Sequence, residues 1–290
     1  MTIRPFLTGL GLLLLTSPLF AGAEVSFGPP GVITAAALGA QAVTVADVDG
    51  DGDLDAIAAS SDDDTVAWHE NLDGAGGAWT EHPVSTTVDG ASAVIAVDLD
   101  GDGDVDLASA AATSGVISWH ENLDGAGTSW AAHLVSDSVA GARSVAAGDI
   151  DGDGDLDLAS ASFDTDTIAW HENQDGLGTA WLKRAVSTGA DGATAVLAAD
   201  LDLDGDVDLA SASANDDTLA WYESFDGTGT AWIERTITTT ADGAAALAVA
   251  DVNGDGRPDL LAASELDDTV ACYRNAGGVN LYRGEIVISD

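Results

Sequence analysis

Asp47-Val-Asp49-Gly-Asp51-Gly-Asp53-Leu-Asp55 carries a carboxylate at every second position, with glycine in two of the gaps. Close counterparts begin at Asp98, Asp149, Asp200 and Asp251, each 51 residues after the one before. A fixed period of about this length marks a repeat architecture, in which each unit buries its apolar face only against its neighbours.

Reading outward from the second copy, the unit spans roughly Ala91 to Gly141. The apolar run Ala93–Val97 leads into the acidic stretch Asp98–Asp106, and a second run, Leu107–Ala110, follows. Val116–Glu121 alternates as a half-buried strand does. Asn122–Gly125 is a turn signal, and Trp130–Val135 is a fourth strand candidate. Four short strands joined by hairpin turns, with no helical period, predict an all-β chain folded as a β-propeller of four-stranded blades, five blades in all. A parallel β-helix is the alternative, although its coils are usually shorter. The eight tryptophans fall at two places in the repeat: Trp68, Trp119, Trp170 and Trp221 in the third strand, and Trp79, Trp130, Trp181 and Trp232 in the fourth. Residues repeated this way are expected to pack blade on blade rather than to stand free as sugar platforms. Phe27–Ala40 aligns with Ala78–Ala91 as a fourth strand without its blade, and Asn280–Ser289 is a weak fourth strand of the last unit. Either the N-terminal strand completes the fifth blade or it adds an edge.

The N-terminus has the form of an export signal: Arg4, the apolar run Leu7–Leu15, then Ala21-Gly22-Ala23 as a small-residue cleavage site. The expected organisation is therefore a signal peptide, 1–23, and a single propeller domain, 24–290, secreted or periplasmic after cleavage. Cys272 is the only cysteine, so no disulfide forms within the chain. The formal charge of −42, with 8 Lys and Arg in all, excludes nucleic acid as a partner and disfavours anionic membrane surfaces. No segment after the leader is expected to insert into a membrane.

The acidic stretches are candidate metal loops. Glycines at positions 4 and 6 of the first loop let the chain wrap so that alternate side chains converge. Hard oxygen donors without His or Cys point to calcium or magnesium, and a flexible carboxylate cage points to calcium, about one ion per loop. Two carboxylates ~5 Å apart at an effective dielectric of ~20 repel by about 3 kcal/mol, so such loops are costly without a cation. The candidate ligands are Asp47, Asp49, Asp51, Asp53 and Asp55; Asp98, Asp100, Asp102, Asp104 and Asp106; Asp149, Asp151, Asp153, Asp155 and Asp157; Asp200, Asp202, Asp204, Asp206 and Asp208; and Asp251, Asn253, Asp255, Arg257 and Asp259. Arg257 at position 7 fits a place that gives only its backbone carbonyl. Position 12, where an EF-hand has its bidentate Glu, is Ala58, so position 9 is expected to close the site instead.

Asp-x-Asp-x-Asp-Gly-x-x-Asp after Gly-Ala and an apolar strand resembles the FG-GAP and VCBS repeats of integrin-like β-propellers. The resemblance implies calcium roles for Asp47, Asp49, Asp51, Asp55 and their counterparts, and partner binding on the face away from the metal loops. It departs from the integrin form at Ala159-Ser160-Ala161, where Gly-Ala-Pro would stand, and in having five loops where seven blades are common. The bacterial extracellular variants, found in adhesins, lectin-like proteins and accessory domains of polysaccharide-degrading enzymes, are the closer likeness.

The expected function is a non-catalytic binding or adhesion module for glycans or surface proteins, with a structural role in an envelope or extracellular assembly as the alternative and a polysaccharide-degrading role behind both. The best catalytic constellation is His69-Glu70, His120-Glu121 and His171-Glu172, but adjacent strand residues face opposite ways. No nucleophile elbow or phosphate loop is present. Arg143, Phe163, Lys183, Arg184, Arg235 and Tyr273 interrupt the repeat and are candidates for an asymmetric site, with repeat drift as the plainer reading.

Overall fold

The structure, a computed structural model, describes residues 31–277 and 282–287. The leader and its cleavage site lie outside these residues. The described chain is all-β: twenty strands in five antiparallel sheets of four, arranged as a five-blade β-propeller. Blade one is β1 (Ala40–Ala46), β2 (Asp55–Ser60), β3 (Thr65–Asn71) and β4 (Trp79–Ser85). Blade two is β5 (Ala91–Val97), β6 (Asp106–Ala111), β7 (Val116–Asn122) and β8 (Trp130–Ser136). Blade three is β9 (Ala142–Gly148), β10 (Asp157–Ser162), β11 (Thr167–Asn173) and β12 (Trp181–Ser187). Blade four is β13 (Ala193–Ala199), β14 (Asp208–Ser213), β15 (Thr218–Ser224) and β16 (Trp232–Thr238). Blade five is β17 (Ala244–Ala250), β18 (Asp259–Ser264), β19 (Thr269–Asn275) and β20 (Tyr282–Val287). The fifth blade thus has its own outer strand, and residues 31–39 add no strand to it; residues 27–30 of the expected N-terminal strand lie outside the described residues. No helix of the described residues is long and apolar enough to cross a membrane.

Each blade has two apolar faces, and the core lies between blades. Four clusters fill the four interfaces from blade one to blade five; that between blades one and two joins Val48, Ile57, Val66 and Trp68 to Val94 and Leu107. The third-strand tryptophans are buried and lock these interfaces. Trp68 donates its indole N–H to the Gly127 carbonyl of the next blade (3.1 Å), as Trp119 does to Gly178 (2.9 Å) and Trp170 to Gly229 (3.1 Å). The fourth-strand tryptophans are half-buried, and Trp79, Trp130, Trp181 and Trp232 bond glycine carbonyls of their own blades. Blade-on-blade packing therefore describes the first set, and neither set is a free platform.

The circle stays open at one place. Innermost strands pack in series, β1 on β5, β5 on β9, β9 on β13 and β13 on β17, and no packing of that extent joins β17 to β1.

Candidate metal centres

Each acidic loop joins the first strand of a blade to the second, and its geometry recurs. The position 9 aspartate opens the second strand and is buried in all five blades. Its two oxygens are held by two backbone N–H groups. In blade one, Val48 N donates to Asp55 Oδ2 (3.0 Å) and Asn71 N to Asp55 Oδ1 (2.9 Å). The same pair of bonds holds Asp106, Asp157, Asp208 and Asp259. The first aspartate of each loop accepts from the glycine N–H at position 6, and position 5 accepts from the N–H at position 7. These bonds fold the nine residues into a cup.

Donor oxygens of Asp47, Asp49 and Asp55 lie within 4.8 Å of one another, as do those of Asp98, Asp100 and Asp106, of Asp149, Asp151 and Asp153, and of Asp200, Asp202 and Asp208. Oxygens sharing one calcium ion at 2.3–2.6 Å stand at most about 5 Å apart, so four clusters have a spacing that could hold a metal. Asp47 Oδ1 and Asp149 Oδ1 are buried with no hydrogen-bond partner. A buried carboxylate oxygen without a donor is costly, and a cation in the cup would satisfy it. Burial pushes the carboxyls of Asp106, Asp157 and Asp208 up to about 7, against the pull of their backbone donors. A cation beside them favours their charged form.

Position 7 points elsewhere. A Cβ on Gly125 would meet the Asp104 carboxylate at 2.5 Å, and Gly176 and Gly227 stand equally close to Asp155 and Asp206. These side chains brace the turn between third and fourth strands, which leaves the backbone as their contribution to a metal. The fifth loop differs in its charge. Asn253 donates to Asp259 Oδ2 (3.2 Å), and Arg257 lies 3.8 Å from Asp255. The fourth loop has Leu203 where the others have glycine, at φ 66, a departure that the spacing of the aspartates does not reveal.

The His-Glu pairs are structural. His120 and His171 are buried and share hydrogen bonds with Ser109 and Ser160, each at 2.9 Å, and Tyr222 meets Ser211 in the same place at 3.1 Å. Burial lowers His120 to about 4 and His171 to about 3, so both are neutral at neutral pH. The glutamates, on the opposite face, pair with the fourth strand: Glu70 with His82 and Glu121 with His133, each at 2.8 Å, Glu172 with Arg184 and Glu223 with Arg235. His82 and His133 also stack on Trp68 and Trp119, and Arg184 and Arg235 lie over Trp170 and Trp221. Arg184 and Arg235 therefore continue the repeat, 51 and 102 residues after His133. Arg143 lies over Phe163, Lys183 bonds the Ser138 carbonyl, and Tyr273 is buried between blades four and five. The six interrupting residues do not converge on one site.

The model of the FG-GAP-like repeat matches residues 47–109, 98–160, 149–211 and 200–262, which together cover most of the chain. The chain belongs to the FG-GAP-like repeat family. No curated protein matches it by sequence. Among solved structures, this FG-GAP-like chain is similar to the V. cholerae biofilm matrix protein Bap1, with 20% identity and a TM-score of 0.50 over 86% of this chain and 39% of that one. It is also similar to a Bacteroides uniformis protein described as a 6-phosphogluconolactonase, with 13% identity and a TM-score of 0.57 over 84% of this chain and 70% of that one. The chain thus spans well under half the length of Bap1. At these identities both likenesses speak for the propeller fold alone.

Proposed function

We propose that this FG-GAP-like chain is an exported, calcium-stabilised, non-catalytic module that binds surface proteins or glycans through the face bearing its metal loops. One observation carries the reading. The turns between third and fourth strands project Leu72, Leu123, Leu177 and Phe225 into solvent, and the metal-loop residues Leu54 and Leu203 are exposed as well. These turns and the metal loops share one end of the blades: Gly152 of the third loop approaches the Gly227 carbonyl of the next blade's turn. Exposed apolar side chains rimmed by polar residues mark interaction surfaces. Aliphatic tips favour a protein partner over a sugar, while Phe225 offers a ring to either.

On this reading the binding face lies at the metal loops rather than opposite them. On the opposite end, Asp64, Asp166 and Asp217 accept from Gly90, Gly192 and Gly243 and so clamp the entry to the next blade. Calcium then has two roles, holding the cups closed and setting the spacing of the tips. The absence of a convergent catalytic constellation in the sequence, and the structural partners of each His and Glu, support the non-catalytic reading.

The test is retention of residues 24–290 on arrays of polysaccharides and matrix proteins, with calcium and with chelator, beside a Leu123→Ser, Phe225→Ser double variant. Calcium-dependent retention that the double variant loses is the expected result. Retention unchanged by the variant moves the site to another face, and turnover of any arrayed polymer overturns the non-catalytic reading.

A further inference from the structure

The two ends of the open circle carry the same two surfaces that meet at every internal interface. Toward the following blade, the residue after the first loop aspartate is buried in four blades: Val48 at 1%, Leu99 at 2%, Ile150 at 1% and Leu201 at 0% exposure. Its counterpart in blade five, Val252, is 52% exposed. Val66, Ile117, Ile168 and Leu219 are fully buried, and their counterpart Val270 is 39% exposed. Toward the preceding blade, Val94, Val145 and Val196 are 5–6% exposed, while Val43 is 73% exposed and Val45, on the same face, 57%.

The leading face of blade one also holds an empty seat. Gly127, Gly178 and Gly229 each receive the tryptophan of the blade before, and a Cβ on any of them would strike that indole at 2.5–2.7 Å. At Gly76, which holds the same place, the added Cβ meets only Trp79 of its own blade, at 3.6 Å. Elsewhere on the same blade, Ala36, Ala37, Ala58, Asp63 and His69 line a cavity of about 230 Å³. His69 Nε2 and Asp63 Oδ1 are buried there without partners; His69 lacks one because position 58 is alanine where blades two and three have the serine that bonds histidine.

We infer that the trailing face of blade five docks on the leading face of blade one of a second copy of this chain. The occupant follows from continuity with the four internal interfaces, each of which pairs a trailing with a leading face. Val252, Leu261 and Val270 occupy the positions that meet Val94 and Leu107 across the first interface, and Val43, Val45 and Ala56 hold the receiving positions in blade one. None of these six is charged, in a chain of net charge −42. Cys272 stands where the other blades have the tryptophan, so the Gly76 seat receives a smaller side chain. The contact is heterologous, and it propagates head to tail unless its rotation closes a ring.

Sedimentation velocity of residues 24–290 across the micromolar range, in millimolar calcium and moderate salt, tests this. Oligomers of at least twice the monomer mass are expected, growing with concentration. Val43→Glu and Val270→Glu each change an exposed side chain, and circular dichroism checks that they fold. Each alone is expected to stay monomeric, because one of its two faces is lost. Mixed in equal amounts they are expected to form a dimer and nothing larger, each supplying its intact face. A wild-type chain that stays monomeric overturns the inference. So does a variant that still self-associates, which is the mark of like faces meeting, and so does a mixture that remains monomeric.

Discussion

Blades two to four and the two end blades are built from one repeat, yet they differ wherever an end blade lacks a neighbour. In blades two and three the histidine finds its serine and the tryptophan finds the next blade's glycine, and in blades two to four the loop carries aspartate at all five odd positions. In blade one the serine is Ala58 and the glycine seat is unused; in blade five the tryptophan is Cys272 and the loop carries Asn253 and Arg257. A repeat residue is thus best read as half of a contact whose other half lies in the next unit, as expected where stability is a sum of units and nearest-neighbour interfaces.

The largest effect expected is metal removal. At ~10⁻⁴ M affinity and about 1 mM free calcium, each site adds ~1.4 kcal/mol, or about 7 over five. Excess chelator is expected to lower the melting temperature by roughly 15–25 °C, and an unchanged melt excludes structural metal. The comparison sharpens at the fifth loop, where three carboxylates and Arg257 replace five carboxylates. Calorimetric titration is expected to resolve four tighter sites and one weaker one, with Asn253→Asp, Arg257→Asp bringing the fifth level with the rest.

Next in size is the tryptophan seat. Gly178 and Gly76 have φ of 65° and 72°, so alanine carries the same backbone strain at each, about 1–2 kcal/mol. At Gly76 the new methyl meets Trp79 at an ordinary 3.6 Å, whereas at Gly178 it clashes with an indole, Trp119 Cζ2 being 2.6 Å away. Overpacking adds about 1–3 kcal/mol there. Denaturant titration is expected to show Gly178→Ala the more damaging by that margin. Equal losses would mean that the seat at Gly76 is already filled, as it is in a head-to-tail oligomer, so the pair is to be measured at monomeric dilution.

The buried histidines make a smaller difference, confined to acid. His120 and His171 have depressed folded values, about 4 and 3, against an unfolded value near 6.5. Their contribution is present above pH ~6.5 and is lost as pH falls toward 4, because the unfolded chain takes up the protons first. Their Nδ1 atoms have no partner, so a protonated ring would hold an unsatisfied N–H. His120→Tyr with His171→Tyr, copying Tyr222, is expected to recover up to about 3 kcal/mol per site at pH 4 relative to the parent while leaving stability at pH 7 within about 1 kcal/mol. A parallel acid limb in both proteins would show that other groups set it.

The period and the strand pattern made the blades and the loops legible, because both depend only on residues close in sequence. The glutamate partners were harder. Glu172 and Arg184 are 12 residues apart on adjacent strands, and Arg184 looked like an interruption because it replaces histidine. Its register with His82 and His133 was the available signal. The open circle is not legible in the apolar pattern, since Val43 and Val94 are the same residue with different neighbours, and its traces are single replacements such as Ala58 and Cys272. The clamping role of Asp64 likewise depends on a backbone N–H 26 residues away.

The smallest effect tests the interior against itself. Blade four is built on the same repeat as its neighbours, but its loop has Leu203 at φ 66, where Gly50, Gly101, Gly152 and Gly254 have φ of 73–76. A bulky residue there costs about 1–2 kcal/mol through the clash of Cβ with the carbonyl. Leu203 is exposed, so its side chain returns little by burial within the chain. Glycine relieves the strain but widens the unfolded ensemble, which takes back roughly 0.5–1 kcal/mol. Leu203→Gly is therefore expected to stabilise the chain by up to about 1 kcal/mol in calcium, and to tighten the fourth site if strain opens the cup. If the substitution stabilises the fold and weakens retention on a partner array, leucine is kept at this position for contact with a partner, and the strain is the cost of displaying it.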